Sequence, residues 1–351
     1  MKSAPPPPSL QDPPLQDPPL QGPPLQGPPL RDPPPGPGGL TPEVSREPAN
    51  PWTTGLVAEV RTRRAQRPRQ GRQALVSSSL SLVAVSLLAF VGYLALISNV
   101  EHSRSQRIAY ADLRTELSAL TAPTGQTDLD GKLLPLGTPL GYLSAPGLGL
   151  EREVFFEGTT GKVLAKGPGH RRSTPLPGQP GVSTLYGRAA AYSGPFSGLE
   201  DVDRQSIFTV TTAQGEHTYE VIGTRREGDP VPPPPGPGES RLTLVTATGL
   251  PFIPDDVIYV DAKLTSPVVP AAPRQLRQAG LLPAEAAMAG DSSGWPKIYL
   301  LMQGLAVSGL AMAWASRRWG SKQAWVAGFP LVGLFVVLAS RDLVLLLPNL
   351  L

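Results

Sequence analysis

The sequence predicts a mainly β protein in which one small exported domain is carried by three transmembrane α-helices behind a disordered, proline-rich N-terminal tail. Three observations lead there. Short runs rich in β-branched and aromatic residues, bounded by Gly and Pro, fill residues 133–264. Apolar stretches of membrane-spanning length lie at 74–100, 297–315 and 324–347. Of the 44 prolines in 351 residues, 18 fall within the first 50.

Composition removes several classes of function. A chain with no Cys has no disulfide, no thiolate-bound zinc or iron–sulfur cluster and no thiol nucleophile. Three His leave little room for a His-rich metal site, and no cofactor is expected. A formal net charge of +3 is too small to argue for nucleic acid as a partner. Where the charges lie says more than their sum.

Residues 1–73 form the tail. A five-residue repeat, Leu-Gln-Asp-Pro-Pro twice, Leu-Gln-Gly-Pro-Pro twice and Leu-Arg-Asp-Pro-Pro once, fills residues 10–34. Proline fixes φ and removes a donor, so this is polyproline II or disordered chain. It acts as a spacer or as a docking ligand for a Pro-binding cytoplasmic partner. Arg61, Arg63, Arg64, Arg67, Arg69 and Arg72 follow with no acid among them, and the 27 residues 74–100 carry no charge. A span this long, with some 70 residues ahead of it, reads as an uncleaved signal anchor. Basic residues beside a span stay in the cytoplasm, and that reading of the Arg cluster outweighs a nucleic-acid patch.

Residues 101–132 read as a helical stalk, with Ile108, Leu113, Leu117 and Leu120 at roughly helical spacing, followed by a polar linker over 121–132. From 133 to 264 the pattern changes to β runs: Glu153-Val-Phe-Phe, Ser206-Ile-Phe-Thr-Val-Thr, Thr218-Tyr-Glu-Val-Ile-Gly, Arg241-Leu-Thr-Leu-Val-Thr and Val257-Ile-Tyr-Val-Asp-Ala. Several such strands with few helical stretches between them imply a small barrel or sandwich. Residues 265–296, thin in apolar residues, read as a tether to the second span. The loop 316–323 between the last two spans holds Arg317, Arg318 and Lys322 against no acid. That loop also belongs inside, so both basic clusters agree on a multi-pass protein of the cell membrane with its N-terminus cytoplasmic, residues 101–296 extracytoplasmic and the C-terminus outside. Gly304 and Ser308, four apart, permit close packing against the third span, a spacing that chance also produces.

The exported domain carries Glu157-Gly-Thr-Thr, Leu164-Ala-Lys-Gly-Pro-Gly-His170 and Thr174-Pro-Leu-Pro-Gly-Gln-Pro-Gly181, then Tyr186-Gly-Arg-Ala-Ala-Ala-Tyr-Ser-Gly-Pro-Phe196 and Arg241-Leu-Thr-Leu-Val-Thr-Ala247. In these runs and their order it resembles the sortases, and among them the actinobacterial class E type. The resemblance covers residues 133–264 and implies an eight-stranded β-barrel. Sortases cut a Leu-Pro-x-Thr-Gly type signal and join the acyl group to an amine. A Cys thiolate attacks, a His protonates the leaving amine and an Arg steadies the oxyanion.

Carried over residue by residue, the His position falls on Arg188, the Cys position on Ala247 and the Arg position on Asp256, with one residue of play that also admits Asp255 or Val257. A guanidinium does not exchange protons as imidazole does, a methyl is no nucleophile, and a carboxylate repels an oxyanion. Thr246 and Thr248 flank position 247, but neighbours on a strand face the opposite way. His170, in the Gly-Pro-Gly-His run, and His217, in an expected hairpin turn at 214–217, read as solvated or structural. The candidate groove comprises Arg188, Tyr192, Phe196, Thr246, Ala247 and Asp256. Across it Arg188 and Asp256 either pair or stand apart as two exposed charges, and the Pro-rich loop 227–240 either caps the groove or forms its lip.

The resulting expectation is a degenerate, non-catalytic sortase-like protein that binds a sorting-signal peptide, an active sortase or another envelope partner. Two alternatives stand beside it: a transpeptidase or hydrolase with a non-Cys catalytic set, and a structural membrane scaffold.

Overall fold

A computed structural model describes Leu80 and residues 83–351 of the chain. The Pro-rich repeat, the six-Arg cluster and the start of the first apolar stretch lie outside the described residues.

Eight strands close into a barrel in the order β1-β2-β3-β4-β7-β8-β6-β5. They are β1 (Pro139–Ala145), β2 (Leu150–Glu157), β3 (Gly169–His170), β4 (Gly181–Tyr186), β5 (Ile207–Thr212), β6 (Gly215–Arg226), β7 (Ser240–Leu250) and β8 (Ile253–Leu264). Alternate residues point inward and fill the barrel: Leu140, Leu143, Phe155, Leu185, Phe208, Val210, Tyr219, Leu242, Leu244 and Val260 are all buried there. All five predicted β runs fall in strands. The sequence pattern misses three strands: β1, whose Pro and Gly weaken its β signature, the two-residue β3 and the six-residue β4.

Two of the pairings are parallel, β2 with β3 and β4 with β7. The second positions the site. Tyr186 lies beside Val245, and the Gly187 N–H continues the ladder to the Val245 carbonyl at 2.9 Å. The two chains therefore carry Arg188 and Ala247 forward side by side.

Three helices are long and apolar enough to cross a membrane: α1 (Val83–Ser118), α3 (Trp295–Arg318) and α4 (Ser321–Val344); a one-turn helix α2 (Gly161–Leu164) precedes β3. Gly304 of α3 packs directly on the Phe335 ring of α4, where an added Cβ would overlap it, and the Ser308 hydroxyl turns back to the Gly304 carbonyl at 2.7 Å. The small residues thus sit at a helix contact. At the other end of the pair, Lys297 and Asp342 form an ion pair at 2.8 Å.

The expected stalk and both expected linkers are instead docked on the barrel. α1 runs unbroken through a π-helical turn at Tyr93–Ile97, and Ala109, Leu113 and Leu117 pack on Val154, Phe156 and Val163, while Ile108 and Leu120 face outward. The Gln106 amide acts as a missing strand neighbour: it accepts from the Val154 N–H at 2.7 Å and donates to the Val154 carbonyl at 2.9 Å. In the 121–132 segment Gln126 is buried, donating to the Arg172 carbonyl and accepting from the N–H groups of Gln275 and Leu276 at 2.8 and 2.9 Å. The 265–296 segment is strapped along the barrel by these bonds, by Val269 N–H to Gly178 at 3.0 Å and by the Thr159 hydroxyl to Glu285 at 2.6 Å. Polar side chains that bond backbone are invisible to hydrophobic periodicity, so both segments read as free linkers.

Candidate functional site

The cleft opens beyond the ends of β4 and β7, and the last residues of the chain fill it. After α4 the chain turns, and Asn349, Leu350 and Leu351 run into the barrel, each 3% exposed or less. Ala189 donates its N–H to the Leu350 carbonyl at 2.9 Å and Ala191 to the Leu351 carbonyl at 3.3 Å. The Asn349 amide donates to the carbonyls of Thr159 and Ala286 at 2.8 and 2.9 Å, while its N–H reaches the Ala289 carbonyl at 2.9 Å. The Leu350 side chain closes an apolar cluster with Leu164, Tyr186, Val245, Ala247 and Val257.

Arg188 sits at the heart of this arrangement and has no solvent exposure. Its guanidinium donates to the Gly161 carbonyl at 3.0 Å and to the Leu351 carbonyl at 3.3 Å. The Tyr192 ring lies under it, 5.0 Å from the guanidinium carbon. Burial lowers its pKa to about 10, and it still carries its charge at neutral pH.

Tyr192 and Ser193 both hold positive φ, 55° and 65°. Non-glycine residues rarely adopt that conformation, at a cost of about 1–3 kcal/mol each. α1 supports the turn: Ser98 accepts the Tyr192 N–H at 3.2 Å, Asn99 accepts the Ser193 N–H at 2.7 Å, and the Tyr93 and Tyr192 hydroxyls meet at 3.2 Å. Burial raises the Tyr192 pKa.

The six sequence-derived groove residues do not all converge. Arg188, Tyr192 and Ala247 meet around the C-terminal tail. Thr246 is buried and donates its hydroxyl to the Gly187 carbonyl at 2.9 Å, which fixes the β4–β7 seam. Phe196 points into the barrel core against Gly187 and lines no groove. Asp256 is the second correction. The register pairs Ala247 with Val257 and Thr248 with Asp256, so the pleat turns Asp256 to the face opposite Ala247, where it accepts the Val257 N–H at 2.7 Å. The side chain beside Ala247 is Val257. Arg188 bonds two carbonyls and forms no bridge to Asp256.

A cavity of about 140 Å³ adjoins Ala247 and Leu351, lined also by Ala189, Thr248 and the β7–β8 turn. None of the Pro-rich loop 227–240 lines it; Arg241 holds that loop through the Pro233 carbonyl at 2.7 Å. On the cavity wall the Thr248 hydroxyl donates to Glu200 at 2.6 Å, and Glu200 also pairs with Arg226 at 2.5 Å.

Both barrel histidines are structural. His170 Nδ1 meets buried Glu157 at 3.0 Å, and Nε2 meets the Pro175 carbonyl at 2.9 Å. His217 lies buried inside β6, not in a solvated turn, with Nε2 3.2 Å from the Thr212 hydroxyl. Burial lowers its pKa.

Sequence reasoning missed the tail and the carbonyls that hold it. Two signals were present: Pro348, four residues past the helix end, and Asn349, a lone amide in a Leu-rich run.

Residues 143–264 match the family described as Sortase domain. Among solved structures, a sortase D transpeptidase from Clostridium perfringens aligns at 18% identity and TM-score 0.38, covering 46% of this chain and 99% of its own. Sortase SrtA from Actinomyces oris aligns at 23% identity and TM-score 0.34, over 38% of this chain and 83% of its own. A mutant of sortase E from Streptomyces avermitilis aligns at 26% identity and TM-score 0.32, over 38% and 91%. No curated protein sequence matches the chain.

Proposed function

We propose, from the premise that the barrel is a sortase domain in a chain without cysteine, that this protein is a membrane-held binding module which receives a sorting-signal peptide or an envelope partner at its cleft and does not cut it. One observation carries the reading: the position the resemblance gives to the nucleophile is a methyl, Ala247, packed under a leucine side chain. No thiolate forms there, and none exists elsewhere in the sequence. Beside it Arg188 keeps its proton at neutral pH and cannot serve as a general acid. The buried Arg188 cation and the Ala189 and Ala191 amides, which already hold main-chain oxygens of the tail, suit peptide carbonyls, so recognition would outlast the chemistry. The basic residues flanking the apolar stretches favour an extracytoplasmic barrel and a cytoplasmic N-terminus.

A second, enzymatic reading rests on the Thr248–Glu200 bond beside the cavity. It ranks lower because a carboxylate is a weak base for an alkyl hydroxyl, and Glu200 is already engaged by Arg226.

The deciding experiment incubates the full-length protein in nanodiscs with a Leu-Pro-x-Thr-Gly peptide and a glycine amine, following both binding and products. Saturable binding without transfer or hydrolysis is expected. Turnover abolished by Thr248→Val would overturn the non-catalytic reading, and absence of binding at millimolar peptide would favour a scaffold.

A further inference from the structure

The tail is held more closely than the end of a membrane helix requires. Two backbone amides of the barrel, from Ala189 and Ala191, bond the main-chain oxygens of Leu350 and Leu351, and the tail closes its own turn from the Leu351 N–H to the Pro348 carbonyl at 3.1 Å. Asn349 spends both amide hydrogens on barrel-side carbonyls, and Leu350 occupies an apolar pocket whose floor includes Ala247. The tail supplies one of the two acceptors of buried Arg188. Its path is also cleared from outside: at Gly290 an added Cβ would run into the Leu346 carbonyl. Leu347, Pro348, Asn349, Leu350 and Leu351 carry no charged side chain, which matches a pocket closed by methyl groups. A cavity of about 140 Å³ adjoins both Leu351 and Ala247.

We infer that the cleft is a receptor for a turned Leu-Pro-Asn-Leu-Leu type segment without charged side chains, and that residues 347–351 of the same chain are its resident ligand, which an incoming peptide displaces. The inference rests on the binding function proposed above and names its ligand class. Backbone bonding provides sequence-independent affinity, while the Asn349 amide and the Leu350 pocket provide selectivity. A ligand tethered next to its site acts at a high effective concentration, so a free peptide binds more weakly by the fraction of clefts the tail leaves empty.

Because the chain holds no cysteine, one introduced thiol reports on the tail. Leu350→Cys in full-length protein in nanodiscs is expected to react with a membrane-impermeant maleimide at least about tenfold more slowly than Leu250→Cys, a position 71% exposed. An excess of acetyl-Leu-Pro-Asn-Leu-Leu should bring its rate to that of the control, and a scrambled peptide should not. Two further proteins, one lacking residues 347–351 and one carrying Gly290→Val with groove and tail sequences intact, should bind the fluorescent peptide at least about tenfold more tightly than the parent. Equal labelling rates for the Leu350→Cys and Leu250→Cys proteins would overturn the inference. So would a peptide that neither accelerates labelling nor binds the two tail-displaced proteins, and protection that depends on protein density would assign the tail to a neighbouring copy instead. Turnover of a sorting peptide would sink the non-catalytic reading alone and leave this result standing.

Discussion

Arg188 illustrates how a fully buried charge carries a structural task. A lysine reaches one acceptor as a point charge, whereas the guanidinium fork spans Gly161 and Leu351. Arg188→Lys is therefore expected to cost about 1–3 kcal/mol and to loosen the tail, read as a lower Tm together with faster labelling at position 350. His217 makes a separate prediction. Its folded pKa lies below the unfolded value of 6.5, so the unfolded chain binds more protons as pH falls through that value. Stability should hold above pH 6.5 and decline below it. Tm measured from about pH 7.5 to about pH 5 should show a slope that His217→Phe flattens, and identical slopes would remove His217 as the cause. At this scale the absence of any thiol was legible from composition alone. The Arg188–Asp256 pairing was not, because the direction of a strand side chain depends on register, and a shift of one residue reverses the face.

Among the elements, α1 differs most from its sequence reading. Its helical pattern is plain, but Ile108, Leu113, Leu117 and Leu120 were read as one stripe, and only the middle two meet the barrel. The contact surface is completed by Ala109 and the Gln106 amide, residues that a search for large apolar side chains passes over. Leu113, with no exposure, and Leu120, 89% exposed, give a matched pair. Leu113→Ala is expected to destabilise by about 2–4 kcal/mol, and Leu120→Ala by less than about 0.5 kcal/mol. Chemical denaturation of both variants checks this, and equal effects would mean that the helix does not dock. The β runs were legible because they alternate and are bounded by turns, and β3 was not because two residues carry no period.

Among the described residues, the order of one long apolar helix, a barrel and two further apolar helices was legible from hydropathy and β patterning. The insertion of the last residues into the barrel was hidden, because a Leu-rich segment after an apolar helix looks the same whether lipid or a protein cleft receives it. The proposed orientation has its own test. In intact cells, an impermeant maleimide should label Leu129→Cys and spare Gln323→Cys; the reverse pattern would invert the topology.

The unbroken helix α1 also sets a standing height. Its 36 residues measure about 54 Å at 1.5 Å per residue. From Tyr93 to Leu117 it is fixed to the barrel, first at the 192–193 turn and then along β2, leaving no slack by which the barrel could sway on a leash. Such a domain works as a yardstick. In the proposed membrane-held binding role it would meet only those segments of other proteins that emerge within a few nanometres of the lipid headgroups, however abundant the same sequence is farther out.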